Sequence, residues 1–389
     1  MSNITPIPSG LQAIREACPL LKTHIYLANC SQGPLAIPVH TAIETFLGEW
    51  AELGMHWDAW IAEVERARAS FAALIGAQPA EIAIGGSVSQ LVSSVASALL
   101  ASPHVTRRRI VSSMAEFPGV AHAWLATRVH GWQVDLLQGS KEGVVNSNHF
   151  LAAIDETTAL ISLPHVCYAN GMMLELEPIV AAAHAQSALV LVDAYQSVGT
   201  VPIDVKANGV DFLVAGTLKY LLGTAGIAFL YANPGILEQL EPTVTGWFGR
   251  IDPFAFDPAH LDYAPNAARF DLGTPHIINA YAARAGMELV MTAGVERIRM
   301  QLERLSKLAY RLASQLDLRI LGPQRLQDKG ATTAIDAGSR ENAHRLEEEL
   351  RHRSVVVSAR GNAIRLAPHG FTREDELEQA MYLVASSLK

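Results

Sequence analysis

Apolar residues in this chain come in short continuous runs rather than in alternation with polar ones. Glu81-Ile82-Ala83-Ile84, Ile110-Val111-Ser112, Leu160-Ile161-Ser162-Leu163, Leu189 to Val192, Phe212 to Ala215 and Ile227 to Tyr231 all have this form. A strand wetted on one face alternates, whereas one covered on both faces is apolar throughout. Between the runs lie Ala-rich helical stretches, Gln90 to Ala101, Val120 to Val129 and Leu176 to Gln186. Buried strands separated by helices predict an α/β fold, with a mostly parallel sheet sandwiched by helices. Ligand sites in such sheets gather at the carboxyl ends of the strands. Ser87, Phe117, His165, Asp193 and Lys219 each follow a strand-like run.

Beyond Tyr231 the texture changes. Residues 232–276 are rich in proline (Pro234, Pro242, Pro253, Pro258, Pro265, Pro275) and read as loop. Ile277 to Thr292 and Val295 to Gln315 read as helices, and Leu318 to Leu321, Ala331 to Ile335, Val355 to Val357 and Ala363 to Leu366 as strands of a second sheet. Asn342 to His352 and Arg373 to Leu388 read as its helices, with Glu347-Glu348-Glu349 on a solvated face. The expected division is an N-terminal segment 1–20, a large domain 21–284 and a smaller C-terminal α+β domain 285–389.

A length of 389 residues, half of them hydrophobic and 17% charged, suits a large buried core. A net charge of −8 argues against nucleic acid as a partner, and Arg107-Arg108-Arg109 reads as a solvated strand entrance. Three scattered cysteines (Cys18, Cys30, Cys167) make no disulfide framework, and fourteen histidines show no zinc-binding spacing, so no metal is expected. Residues 1–10 lack a basic-then-apolar leader, and no apolar run approaches the roughly 20 residues of a membrane span. The expectation is a cytoplasmic protein with no membrane partner.

Two of the strand ends bear complementary groups. Asp193 closes one run and Lys219 follows another, 26 residues later. An amine and a carboxylate so placed suit a flat cofactor between them. Pyridoxal 5'-phosphate needs that pair, the amine for its aldehyde and the carboxylate to keep its ring nitrogen protonated. A Gly-rich turn that feeds a helix, Gly85-Gly86-Ser87-Val88-Ser89, offers N–H groups and a positive dipole end to a phosphate. A tight strand-to-helix turn would read the same way.

These motifs resemble the aminotransferase class V family of pyridoxal-phosphate enzymes, which includes cysteine desulfurases, selenocysteine lyases, isopenicillin-N-epimerase-like proteins and, more distantly, kynureninases. The resemblance is most specific from Asp193 to Tyr231. It implies fold type I and a homodimer with sites at the subunit interface. By the same resemblance Lys219 forms the imine and is the catalytic residue, Asp193 pairs with the ring nitrogen, and Gln196 bonds the phenolic oxygen. Phe117, within Glu116-Phe117-Pro118, matches the stacking aromatic, and Ser87, Val88 and Ser89 the phosphate cup. Thr274, in Gly273-Thr274-Pro275, matches a loop lent by the second subunit, and Trp247, in Gly246-Trp247-Phe248-Gly249, a segment near that interface. Arg365 matches the arginine that grips a substrate carboxylate, a role suited to its two parallel N–H donors. Asn29 and Tyr168 fall where substrate pockets are lined.

The chain departs from the pattern at three places. Val355 to Asn362 carries no cysteine where persulfide-forming desulfurases have their nucleophile. Leu218 replaces the polar residue usual before the lysine. Gly216 stands where a serine donor often sits, with Thr217 beside it as a compensating donor. The reading is an enzyme that removes the α-proton of a small amino acid without an enzyme persulfide. Transamination, C–S lysis or other β-elimination, epimerisation and kynureninase-like cleavage remain open as outcomes. A serine hydrolase built on Ser87, although the last glycine of a nucleophile elbow is missing, and a catalytically silent pyridoxal-phosphate fold are the alternatives of other classes.

Overall fold

The structure, a computed structural model, describes residues 7–140 and 144–388. The first eight strands are β1 Ile25–Tyr26, β2 Ile82–Gly85, β3 Arg109–Ser113, β4 Gln133–Leu137, β5 Thr158–Pro164, β6 Leu189–Asp193, β7 Phe212–Gly216 and β8 Ala228–Ala232. Seven of them form one sheet in the order β2-β8-β7-β6-β5-β3-β4. β8 runs antiparallel to both of its neighbours, and the other pairings are parallel.

The continuous apolar runs have a direct cause. Successive side chains on a strand point to opposite faces, and here each face meets a core. Phe212 and Val214 join one buried cluster with Val92, Val120 and Trp124 from helices Val88–Ala101 and Pro118–Ala126. Leu213 and Ala215 join the other, with Phe71, Phe150 and Ile179 from helices Trp57–Leu74, Ser147–Ala153 and Leu176–Ala185.

The remaining strands are β9 Ile320–Leu321, β10 Thr333–Asp336, β11 Val355–Val356, β12 Ser358–Arg360 and β13 Ala363–Leu366. An antiparallel sheet takes them in the order β12-β13-β10-β9. β11 is not part of it. It pairs in parallel with β1, and the chain then crosses at Val357 to begin β12. The expected strand Val355 to Val357 thus belongs with β1 rather than the second sheet, and the strand that joins that sheet is β12, outside the expected run. Residue 285 lies inside helix Ile277–Ala293, which packs against helices Ile37–Leu53 and Trp57–Leu74. The change of packing partner comes at Gly294, in a conformation open to glycine (φ +84°), before helix Val295–Gln315 turns to meet Glu374–Leu388. The N-terminal helix Ser9–Ala17 bridges both units. It packs on Ile277–Ala293, and its Arg15 pairs with Glu376 at 2.6 Å.

Among the described residues, no helix is long and apolar enough to cross a membrane, and no group of three or more His, Cys, Asp or Glu is gathered to hold a metal.

Candidate active site

The carboxyl ends of β2, β5, β6 and β7 open onto one cavity of about 390 Å³. Ser87, Val88, Ser89, Phe117, Tyr168, Asp193, Gln196, Lys219 and Arg365 all line it. Asn29, Thr217, Thr274 and Trp247 do not. Asn29 is fully buried and spends its Nδ2 on the Ala367 carbonyl (2.8 Å). Thr217 is buried too, and its hydroxyl bonds Thr224 O (3.1 Å) to close the loop that carries Lys219. Thr274 borders a smaller cavity, with Arg68, Gln90 and Asp271, behind the Gly85–Gln90 turn. Trp247 packs into an aromatic group with Phe248, Phe254 and Phe256.

At the amine end, Lys219 Nζ lies 4.2 Å from the centroid of the Tyr195 ring and 5.5 Å from that of Phe117. Burial pulls its pKa down to about 8 against the pull of Asp193 the other way, and Arg365 and Arg360 lower it further. Near neutral pH the amine is therefore within reach of its uncharged, nucleophilic form.

At the carboxylate end, Asp193 Oδ1 accepts the Tyr195 N–H (2.9 Å), and burial raises its pKa. Behind it stands Glu116, a residue without a role in the sequence reading. Glu116 is 3% exposed, and its Oε1 accepts the Phe117 N–H at 2.9 Å. Burial first and the Asp193 charge second push its pKa well above the usual range. Two buried carboxyls in contact cannot both ionise. Burial pushes both carboxyls toward their protonated forms, Glu116 the further.

Arg365 is 1% exposed and held from two sides. Nη1 donates to Tyr168 O (2.7 Å), and Nη2 to Ser31 Oγ (3.0 Å) and Ser358 Oγ (2.6 Å). Its Nε has no partner. Ser31 and Ser358 touch each other at 2.8 Å though 327 positions apart, so no local sequence signal could have paired them. Ser358 sits opposite Arg365 on the β12–β13 ladder, and Arg360 opens the same hairpin toward the cavity. Exposed Arg360 makes no ion pair or hydrogen bond among the described residues.

At the turn, Ser87 caps helix Val88–Ala101, its Oγ accepting the Gln90 N–H (3.2 Å), while Gly86 N donates to Gln90 Oε1 (2.7 Å). A side chain at Gly86 would meet His276 at 2.8 Å, so the tight packing of the turn calls for glycine there. His165, after β5, lies outside the cavity lining. Its backbone N–H holds the Asp193 carbonyl (2.9 Å).

The aminotransferase class-V family model matches residues 25–373. The chain belongs to this family. It is 37% identical over 372 residues to an uncharacterized aminotransferase, YcbU, of Bacillus subtilis, with 96% of each chain covered. A kynureninase of Geobacillus thermodenitrificans is 28% identical, over 92% of this chain and 86% of that protein. Among solved structures, the apo cysteine desulfurase of Thermococcus onnurineus superposes with a TM-score of 0.86 at 24% identity, covering 98% of both chains.

The chain is thus an enzyme, and the cofactor of its family is pyridoxal 5'-phosphate. The cavity fits that group. Lys219 is placed where it could meet an aldehyde, and Asp193, in the same lining, is the carboxyl that would face a protonated ring nitrogen. Gln196 gives one amide proton to Cys30 O (3.0 Å) and keeps a second for a phenolic oxygen. The open turn at Gly86–Ser89 suits a phosphate.

Proposed function

We propose that this enzyme labilises the Cα–H bond of a small amino acid, with Arg365 binding the substrate carboxylate and Lys219 moving the α-proton. The observation that carries it is the shared cavity of Lys219, Asp193 and Arg365, in which the amine is pulled down to about 8. Pyridoxal phosphate supplies an aldehyde for the substrate amine and a ring that takes up the electron pair left at Cα. The residues supply the rest. Arg365 offers its unpartnered Nε to a carboxylate. Phe117 and Tyr195 shield Lys219 Nζ from water. Lys219 accepts the proton as an amine and returns it as an ammonium.

The cysteine pattern favours outcomes without an enzyme persulfide. Ser358 to Asn362 has no cysteine, and Cys18, Cys30 and Cys167 are all buried. Burial also pushes the Cys167 thiol up, away from the nucleophilic thiolate. Arg360, unpaired at the mouth, favours a substrate with a second acidic group. A homodimer completes the reading, with Thr274 and Trp247 lent to the partner's site. Ile251, Phe254, Phe256 and Leu261, all exposed beside Trp247, give that contact an apolar surface.

The test is α-proton exchange in D2O, followed by NMR over a panel of amino acids with the reconstituted enzyme. Exchange that disappears in Lys219→Ala supports the reading, and keto-acid, released sulfide or inverted stereochemistry then names the outcome. No exchange with any amino acid, in a protein that binds pyridoxal phosphate, would point to a silent binding fold instead.

A further inference from the structure

The glycine at the end of β7 has a structural cause that leads to a new cofactor contact. A Cβ built on Gly216 would fall on the side chain of Tyr195, its nearest atoms being Oη, Cζ and Cε2. The Tyr195 phenol therefore occupies the space a side chain at 216 would need. Tyr195 follows β6 by two positions, and its ring passes under Lys219 Nζ before the hydroxyl reaches Gly216. The hydroxyl has no hydrogen-bond partner among the described residues, although Tyr195 lines the cavity.

Strand register says what lies across from it. Gly216 pairs with Ala228, and Ala228 pairs with Gly85. The three residues form one row across β7, β8 and β2, so Gly216 stands about 10 Å from Gly85 at the usual strand spacing. Gly85 leads into the Gly86–Ser89 turn, where helix Val88–Ala101 begins. A phosphate held by that turn would have the helix N-terminus on one side and the Tyr195 oxygen on the other.

We propose that the Tyr195 phenol donates a hydrogen bond to the cofactor's phosphate, and that position 216 is glycine to make room for it. Burial and the Asp193 charge raise the phenol's pKa, so it remains an O–H donor over the working range. A hydrogen bond to a charged acceptor is worth about ten- to a hundredfold in a binding constant.

The experiment titrates apo protein with pyridoxal 5'-phosphate and, separately, with pyridoxal, which lacks the phosphate. Binding is read from absorbance, and folding is checked by the melting midpoint. Tyr195→Phe keeps the ring under Lys219 and removes only the oxygen. It should weaken pyridoxal phosphate about tenfold or more and pyridoxal less than twofold. Equal losses for the two ligands would place the contact on the ring and overturn the proposal. No loss for either would leave the phenol as packing and overturn it too. A swap tests the pairing with Gly216. Gly216→Ser alone should bind poorly, because the serine and the phenol compete for one space. Tyr195→Ala with Gly216→Ser should recover much of what Tyr195→Ala loses. A double variant no better than Tyr195→Ala would refute the pairing.

Discussion

Removing Asp271 should loosen the sheet edge that presents the phosphate turn. Asp271 is buried, with one oxygen accepting the Ile84 N–H of β2 (2.7 Å) and the other accepting Arg68 Nη2 (2.8 Å). Arg68 is itself buried, and its remaining partners are the Ile82 carbonyl, at the same strand, and the half-exposed Glu65. Asp271→Ala therefore leaves a buried guanidinium short of a counter-charge and a buried N–H without an acceptor. Breaking such a pair from one side costs about 3–5 kcal/mol. The unfolding entropy of a chain of 389 residues is roughly 0.8 kcal/mol/K, so the apo melting midpoint should fall by roughly 4–6 °C. The assay is scanning calorimetry of wild type, Asp271→Ala and Arg68→Met/Asp271→Ala. The double variant should regain more than half of the loss, because removing both charges leaves neither to be buried alone. A single variant that melts within 1 °C of wild type would refute this account.

Three further outcomes follow from the site. Lys219→Met should stabilise the apo protein by about 3 kcal/mol at pH 7, because the lysine's folded-state pKa is lowered from 10.5 to about 8. Between those values the unfolded chain binds more protons, so the penalty is full below about pH 8 and disappears toward 10.5; denaturant unfolding at pH 7 and 10.5 checks it. Glu116→Gln should flatten the loss of apo stability with rising pH. The raised Glu116 pKa contributes stability that is complete in acid and lost as pH climbs through the folded value, and an amide has no such titration. Arg360→Ala should reduce the preference for diacidic over monoacidic amino acids in kcat/KM by about tenfold, measured by α-proton exchange.

The large sheet was legible because both of its faces are covered, so strands such as Phe212–Gly216 announce themselves as continuous apolar runs. The site was legible for the same reason: Asp193 and Lys219 are polar groups at the ends of such runs. Helix Ile37–Leu53 was not read. It buries Val39, Ala42 and Phe46 yet exposes Leu47, Trp50 and Leu53, so its apolar residues mark no single face. Edge strand Gln133–Leu137 is mostly half-exposed and gives no run. Thr217 was expected beside the cofactor, but the seven-residue return to Thr224 uses its hydroxyl for closure. Gly216 stood out in the sequence as a missing serine donor, but its pairing with Tyr195 follows only from the geometry of adjacent strand ends.

Leu218 and the charged groups of the cleft divide their work between backbone and side chains. Leu218 contributes through its backbone, its carbonyl accepting the Gly33 N–H at 2.7 Å. A side chain at Gly33 would collide with the Lys219 carbonyl, so the two loops are locked together there. The electrostatic work falls to other groups. Lys219, Arg360 and Arg365 face the cavity as cationic side chains against the one carboxyl of Asp193, while Glu116 behind it is pushed toward its protonated form. A chain of net charge −8 thus presents a locally positive cleft. Such a cleft concentrates anions despite the surrounding charge, and both expected ligands, a phosphate-bearing cofactor and a carboxylate-bearing substrate, are anionic where they bind. Were Glu116 ionised, the second buried carboxylate would raise the Lys219 pKa and hold the amine further from its neutral form. The raised pKa of Glu116 therefore bears on the lysine as well as on the ring nitrogen.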